Sequence, residues 1–297
     1  MKPVVTPLHP LFVAKITGVD LGRSIDETTQ AAIERAMDTY AVCVLPGQNL
    51  EDEELITFSR LYGPLEVSTD IGRKSGATGR NRRVAFREIF DISNLDDNGD
   101  IRGEQDARSA VRQITQLWHT DLAFRQGAAK WSMLHAKAIP PAGGDTEYAD
   151  TRAAYDALPD TMKRRLEGLI AEHSFWHATA KRGGYVPTEE ERRSYPAARH
   201  ELVRRHPGSG RNALYIASYA SHIVGMPVED GQALLAELIE FATQPQFVYR
   251  HKWQVGDLVI WDNRCTMHRA TPFAATDHVR DMRRTTIVER ASDMLAE

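Results

Sequence analysis

The sequence predicts an α+β protein with a mainly β core, a jelly roll carrying inserted and flanking helices. Three observations carry that expectation. Many short apolar runs are bounded by Gly, Pro, Asn and Asp, the punctuation of short strands. Helical patterns cluster near the start, the middle and the end instead of alternating with strands, so the βαβ rhythm of a doubly wound sheet or an eight-fold barrel is missing. The 297 residues are 42% apolar, enough for a sizeable core, and no shift in composition divides them, so one domain over 1–297 is expected.

Each element follows from local pattern. DETTQAAIERAMDTY (26–40) reads as a helix, with Asp26 as N-cap and Ile33, Met37 and Tyr40 at helical spacing. AVCVLPG (41–47) is a short buried strand ending in a Pro-Gly turn, and 51–62 is a second helix with Leu55, Phe58 and Leu61 on one face. Residues 69–85, glycine-rich and basic, form a surface loop that is either plainly solvated or a lid closing over an anionic small molecule. WSMLHAKAIP (131–140) and GGDTEYAD (143–150) are strands. Residues 150–200 read as a helical insert: RAAYDAL, then DTMKRRLEGLIAEH (160–173) with the stripe Leu166, Leu169 and Ile170, then a polar excursion over 178–200. ELVRRH (201–206) and NALYIA (212–217) are strands around the turn PGSG. VEDGQALLAELIEFAT (228–243) is an amphipathic helix, and FVYRHKW (247–253), DLVIWDN (257–263) and VRDMRRTTIVER (279–290) are the last strands.

Bulk properties exclude several function classes. A net charge of -4 gives no surplus for nucleic acid or anionic lipid, and the basic loop lacks aromatics for stacking bases. No run approaches the roughly 20 apolar residues of a membrane span. Prolines at 3, 7 and 10 interrupt the segment where an export signal would lie. The two cysteines, Cys43 and Cys265, sit among apolar neighbours as small buried hydrophobes, so a disulfide framework or cysteine-rich zinc site is excluded and a cytoplasmic location is expected.

The chemistry concentrates in QLWHTDLAF (116–124). Eleven His and 41 Asp plus Glu give roughly 1.5 chance matches to His-x-Asp/Glu, so the motif alone is weak. On a strand, however, i and i+2 share a face, and His119 and Asp121 then aim at one point. A buried aspartate needs compensation, which a divalent cation supplies. His268, in IWDNRCTMHRA, is the best third ligand, and two His with one carboxylate form the facial triad of non-haem Fe(II) oxygenases. On the C-terminal strand Arg280, Met282 and Arg284 share one face, and Asp281, Arg283 and Thr285 the other. Arginines facing an interior need an anion, and a carboxylate fits their fork; Thr146 can add a hydroxyl. HSFWH (173–177) has zinc-like i, i+4 histidines but no acidic third ligand in register. Trp118 and Trp261, flanking the ligand segments, are expected as pocket walls.

WHTD, PPAGGDTEYADTRAAYDALP, ASHIVGMPVEDGQALLAEL, WQVGDLVIWDNRCTMHRA and MRRTT, with PLHPLF and GVDL, resemble the taurine dioxygenase/2,4-dichlorophenoxyacetate dioxygenase (TauD/TfdA) family of Fe(II)/2-oxoglutarate-dependent oxygenases, in order over nearly the whole chain. PLHPLF, RAAYDALP and FVYRHKW are most similar to the aryloxyalkanoate branch. The resemblance implies a double-stranded β-helix, with His119, Asp121 and His268 as iron ligands, Thr146 and Arg280 on the distal carboxylate of 2-oxoglutarate, and Arg284 nearby facing 2-oxoglutarate or the substrate anion. A longer loop between His268 and Arg280 leaves the choice among Arg280, Arg283 and Arg284 open. Residues 69–115 correspond to the part that shapes the substrate pocket, and Thr115, His222 and Arg284 are candidates for substrate contact. The implied reaction uses Fe(II), 2-oxoglutarate and O2 to hydroxylate a small anionic substrate. An aryloxyalkanoate such as 2,4-dichlorophenoxyacetate would be cleaved to a phenol and a 2-oxo acid, with succinate and CO2 released; taurine, an alkyl sulfonate or sulfate, or another small carboxylic acid is the alternative. A homo-oligomer is expected, with no nucleic-acid or membrane partner.

Overall fold

The computed structural model describes residues 2–67, 83–103, 114–183 and 188–289. Residues 69–82 of the basic loop and 104–113 of the expected pocket segment lie outside the described residues.

The described strands are β1 (Val4–Pro7), β2 (Ala14–Thr17), β3 (Val42–Leu45), β4 (Phe90–Asp91), β5 (Ala129–Ala138), β6 (Thr146–Asp150), β7 (Ile170–His173), β8 (Ala198–Glu201), β9 (Val203–Arg205), β10 (Asn212–Leu214), β11 (Ala220–Ile223), β12 (Val248–His251), β13 (Leu258–Asp262), β14 (Thr266–Ala270) and β15 (Asp281–Val288). A seven-stranded sheet has the order β1-β2-β3-β13-β5-β15-β4, and a three-stranded sheet the order β12-β6-β14. All pairs in both sheets are antiparallel except β2 with β3.

Side-chain alternation explains why the large sheet reads as nearly continuous apolar runs: both of its faces are covered. Cys43, Leu45, Met133, Leu258, Ile260 and Ile287 pack against Ile33, Met37, Leu55 and Phe58 from the helices Glu27–Tyr40 and Asp52–Arg60. The intervening residues Val42, Val44, Leu134, Val259, Trp261 and Met282 meet Tyr148 of the smaller sheet. That sheet turns Ala149 and Met267 outward, onto Leu234, Leu235 and Leu238 of the helix Val228–Ala242. Two sheets are thus layered between helices, and the face they share carries Ser132, Thr146, His268 and Arg284.

Most of the expected elements form, including the Asp26 cap, whose carboxylate accepts from the Thr29 N–H at 2.7 Å. Several differ. The second helix stops at Arg60, and Leu61 turns outward with 42% exposure instead of joining the apolar face. The helix expected over 160–173 ends at Leu166; Gly168 takes the left-handed φ of +72°, and Ile170–His173 becomes β7, paired with β8 and β11. The stripe Leu166, Leu169 and Ile170 therefore does not exist, and Ile170 is exposed. Within the polar stretch 178–200 lie the end of the helix Phe175–Gly183, the helix Glu189–Ser194 and the start of β8. β1, β2, β4, β7, β8, β11 and β14 are not among the strands expected from the sequence. No helix among the described residues is long and apolar enough to cross a membrane.

Candidate active site

His119, Asp121 and His268 come together with their ligand atoms within 4.8 Å of one another, all three buried. The smaller sheet places them. His268 sits in mid-β14, opposite Tyr148, and His119 forms one bridge with it through reciprocal backbone bonds of 2.9 and 2.8 Å. The expectation of a strand through His119 and Asp121 fails, because the chain leaves the sheet after His119 and Leu122 takes φ +54°. The two side chains converge nonetheless.

The protonation states suit a divalent cation. Burial pushes both imidazoles below their ordinary value, His268 well below, so both are neutral near pH 7. Burial alone would raise the Asp121 carboxyl; the charge of Arg284, the neighbouring His268 and His119, and the Ser132 hydroxyl bring it down to about 2. His119 Nδ1 lies 2.8 Å from the Leu117 carbonyl, which can only accept, so this nitrogen carries the proton and Nε2 keeps a lone pair for a metal. His268 Nε2 stands 3.8 Å from Asp121 Oδ2, and its buried Nδ1 has no hydrogen-bond partner among the described residues. Two neutral imidazoles and one ionised carboxylate on one side of a cavity fit Fe(II) and leave positions for further ligands.

The cavity measures about 730 Å³, and Thr115, Thr146, Arg280, Arg284 and Trp261 line it with the triad. Arg280 lies just before β15; its Nε donates to the Gly144 carbonyl at 3.1 Å and its backbone N–H to Asn94 Oδ1 at 2.8 Å, which fixes the guanidinium plane. Thr146 Oγ1 accepts from Trp253 Nε1 at 3.0 Å; an indole only donates, so Thr146 retains a proton to give. Arg284 Nη1 donates to Asp121 Oδ1 at 2.5 Å. The expected alternation of β15 holds, and it separates the arginines. Arg283 faces away, donating to Asp281 and Asp91, with Asp52 at 3.7 Å, and is not a cavity residue.

Two expected positions differ. His222 is not among the residues that line the cavity; it lies on β11 opposite Glu172 and is hydrogen-bonded to Ser221. Trp118 packs on the outer apolar cluster with the Arg269 guanidinium 4.6 Å over its ring, so only Trp261 is a wall. His173 and His177 are not on one helix, since His173 closes β7 and the next helix starts at Phe175. Phe124, Phe175, Tyr195 and Tyr219 also line the cavity, a wall that sequence reading missed. Phe124 meets Tyr219 at 5.0 Å and Phe175 at 5.2 Å between ring centroids, and Tyr219 lies 6.3 Å from the His119 ring. QLWHTDLAF contained one member, but the others are contributed from 51 to 95 residues further along the chain.

The profile of the family described as "Taurine catabolism dioxygenase TauD, TfdA family" matches residues 5–286. The chain belongs to this family. It is 45% identical to an alpha-ketoglutarate-dependent 2,4-dichlorophenoxyacetate dioxygenase of Cupriavidus pinatubonensis, over 98% of this chain and 99% of that one. It is 35% identical to an (S)-phenoxypropionate/alpha-ketoglutarate-dioxygenase of Sphingobium herbicidovorans, over 92% and 90%. A crystal structure of AAD-2 in complex with Mn(II) and N-oxalylglycine superposes with a TM-score of 0.88 at 37% identity, covering 97% of each chain. The family member described here is an Fe(II)- and 2-oxoglutarate-dependent dioxygenase acting with O2 on a small molecule.

Proposed function

We propose that this dioxygenase hydroxylates an aryloxyalkanoate, with 2,4-dichlorophenoxyacetate as the type substrate, beside the ether oxygen. The resulting hemiacetal falls apart to a phenol and a 2-oxo acid, glyoxylate from an acetate side chain. The fold is read as a double-stranded β-helix, supported by the two facing sheets around a central site. His119, Asp121 and His268 are the iron ligands, and bound Fe(II) with 2-oxoglutarate and O2 supplies the oxidising power for the C–H bond. Arg280 and Thr146 hold the distal carboxylate of 2-oxoglutarate, the first by a charge-assisted fork and the second by its hydroxyl proton. Arg284, on the same face and two strand repeats on, orients the substrate carboxylate, and Thr115 is a further residue of the cavity wall. The apolar walls exclude water, which strengthens each of these polar contacts.

The observation that carries the substrate class is the wall of Phe124, Phe175, Tyr195 and Tyr219. Edge and face contacts with an aryl ring are worth about 0.5–1.5 kcal/mol per pair beyond area burial, and a small aliphatic sulfonate gains none of them. A homo-oligomer in the cytoplasm belongs to the same proposal, supported by the exposed Val4, Leu8 and Leu11 near the sheet edge and by two free buried cysteines. Sedimentation of the purified protein tests the assembly. Succinate and phenol release from a panel of aryloxyacetates, both aryloxypropionate enantiomers, taurine and an alkyl sulfate tests the substrate. An aryloxyalkanoate should give the highest kcat/KM, and faster turnover of taurine or the sulfate would overturn the assignment.

A further inference from the structure

The segment that carries Asp121 has little backbone support. One bridge at His119 is followed by Leu122 in the left-handed region that side chains disfavour, so strand geometry does not set where the carboxylate points. Side chains do. The Asp121 N–H donates to Asn263 Oδ1 at 3.1 Å, and Trp261 Nε1 donates to the same atom at 3.0 Å. Both partners are obligate donors, so this atom is the amide oxygen and the other end of Asn263 is its NH2. That NH2 donates to Ser132 Oγ at 2.9 Å. Ser132 then has one proton left to place, and it goes to Asp121 Oδ2 at 2.7 Å. The direction of every bond in the chain is determined, and Ser132, Trp261 and Asn263 are essentially inaccessible to solvent. Both ends of the chain close on one residue, first its backbone and then its carboxylate.

We propose that Asn263 and Ser132 are positioning residues for the metal: a clasp that aims the Asp121 carboxylate at the point shared by the two imidazoles and so sets the metal affinity of the site. The proposal rests on the reading of His119, Asp121 and His268 as the ligands. Ser132 lies on the inner face of β5 and Asn263 in the turn between β13 and β14, so the clasp also ties the large sheet to the turn that leads into His268. Without Ser132, Asp121 Oδ2 loses its donor, Asn263 Nδ2 is orphaned, and the carboxylate is left to Arg284, which pulls on Oδ1.

The test is Mn(II) titration of the metal-stripped full chain, with free Mn(II) read from its electron paramagnetic resonance signal, beside a thermal melt of each variant. S132A should weaken Mn(II) binding about tenfold or more, as loss of an outer partner of a ligand does. N263A should weaken it at least as much, and the double variant should be no weaker than N263A alone, because the bonds act in series. S59A is the control: it removes a buried hydroxyl bonded to Thr285 at 2.7 Å on the opposite face of the sheet, so it should lower the Tm and leave Mn(II) affinity unchanged. D121A should abolish binding. If D121A binds as tightly as the parent, the ligand assignment falls; if D121A fails to bind while folded S132A stays within about twofold of the parent, the clasp falls.

Discussion

Replacing Arg280 separates three arginines that the sequence could not. A charge-assisted hydrogen bond contributes about 1.5–3 kcal/mol, and a fork on a carboxylate makes two. Thr146 remains as a donor in Arg280→Ala, so the net loss is about 3 kcal/mol, on the order of 100-fold in the KM for 2-oxoglutarate. Arg280→Lys keeps the charge but loses the fork and the bond to the Gly144 carbonyl, and should raise KM about tenfold. Arg283→Ala should behave differently. Its guanidinium is spent on Asp91, Asp281 and Asp52 on the far face of β15, so its loss should cost about 1–3 kcal/mol of stability by removing a charged donor from the buried Asp91 and the half-buried Asp281 and Asp52. KM should not change. The assay is initial-rate succinate release against 2-oxoglutarate at saturating Fe(II), paired with urea unfolding. An unchanged KM in Arg280→Ala, or a KM in Arg283→Ala raised as much as in Arg280→Ala, would refute the face assignment.

Four further outcomes follow from particular contacts. His173 is buried with neither ring nitrogen hydrogen-bonded among the described residues, and burial, His200 and Arg204 lower its pKa to about 3. Below about pH 6.5 the unfolded chain binds a proton that the folded chain refuses, so stability falls as pH falls, by about 1.4 kcal/mol per unit from this group; His173→Phe should flatten the Tm profile between pH 6.5 and 5, and an unchanged slope would exclude His173 as its source. Gly143 has φ +73°, and a Cβ there would lie 2.5 Å from the Pro272 carbonyl oxygen, so Gly143→Ala should cost about 1–3 kcal/mol in thermal melts and, by shifting Gly144, raise the KM for 2-oxoglutarate. Phe124→Ala should raise the KM for 2,4-dichlorophenoxyacetate about tenfold by removing the centre of the aromatic wall, with the KM for 2-oxoglutarate unmoved in the same assay. Saturating the metal-stripped protein with Mn(II) at 100 times its Kd should add about 2.7 kcal/mol of stability, lost again on chelation, and a Tm indifferent to Mn(II) would contradict a folded-state site.

The clustering of His119, Asp121 and His268 is legible because three residue types with fixed chemistry sit in motifs, and the arginine phase is legible because β15 keeps its alternation between its two register shifts, at Asp281/Met282 and Ile287/Val288. Strand alternation is not what brings His119 and Asp121 together, although their side chains do converge. A left-handed Leu122 leaves no mark in sequence, and the convergence owes to Asn263 and Ser132, 142 and 11 residues from Asp121. Apolar periodicity also misreads 160–173, since Leu166, Leu169 and Ile170 suit a helix stripe until Gly168 breaks it and β7 finds partners 25 to 52 residues away. The aromatic wall escaped for the same reason: each ring alone reads as core, and only tertiary packing faces four of them at one cavity.

Single-turnover product balance tests the proposed chemistry most directly. Enzyme loaded anaerobically with Fe(II), 2-oxoglutarate and 2,4-dichlorophenoxyacetate, then mixed with O2, should release succinate, 2,4-dichlorophenol and glyoxylate in equal amounts. It should release none of them before O2 is admitted. Succinate without phenol would mean that the ring never sits over the iron, and phenol formed without O2 would contradict the mechanism itself.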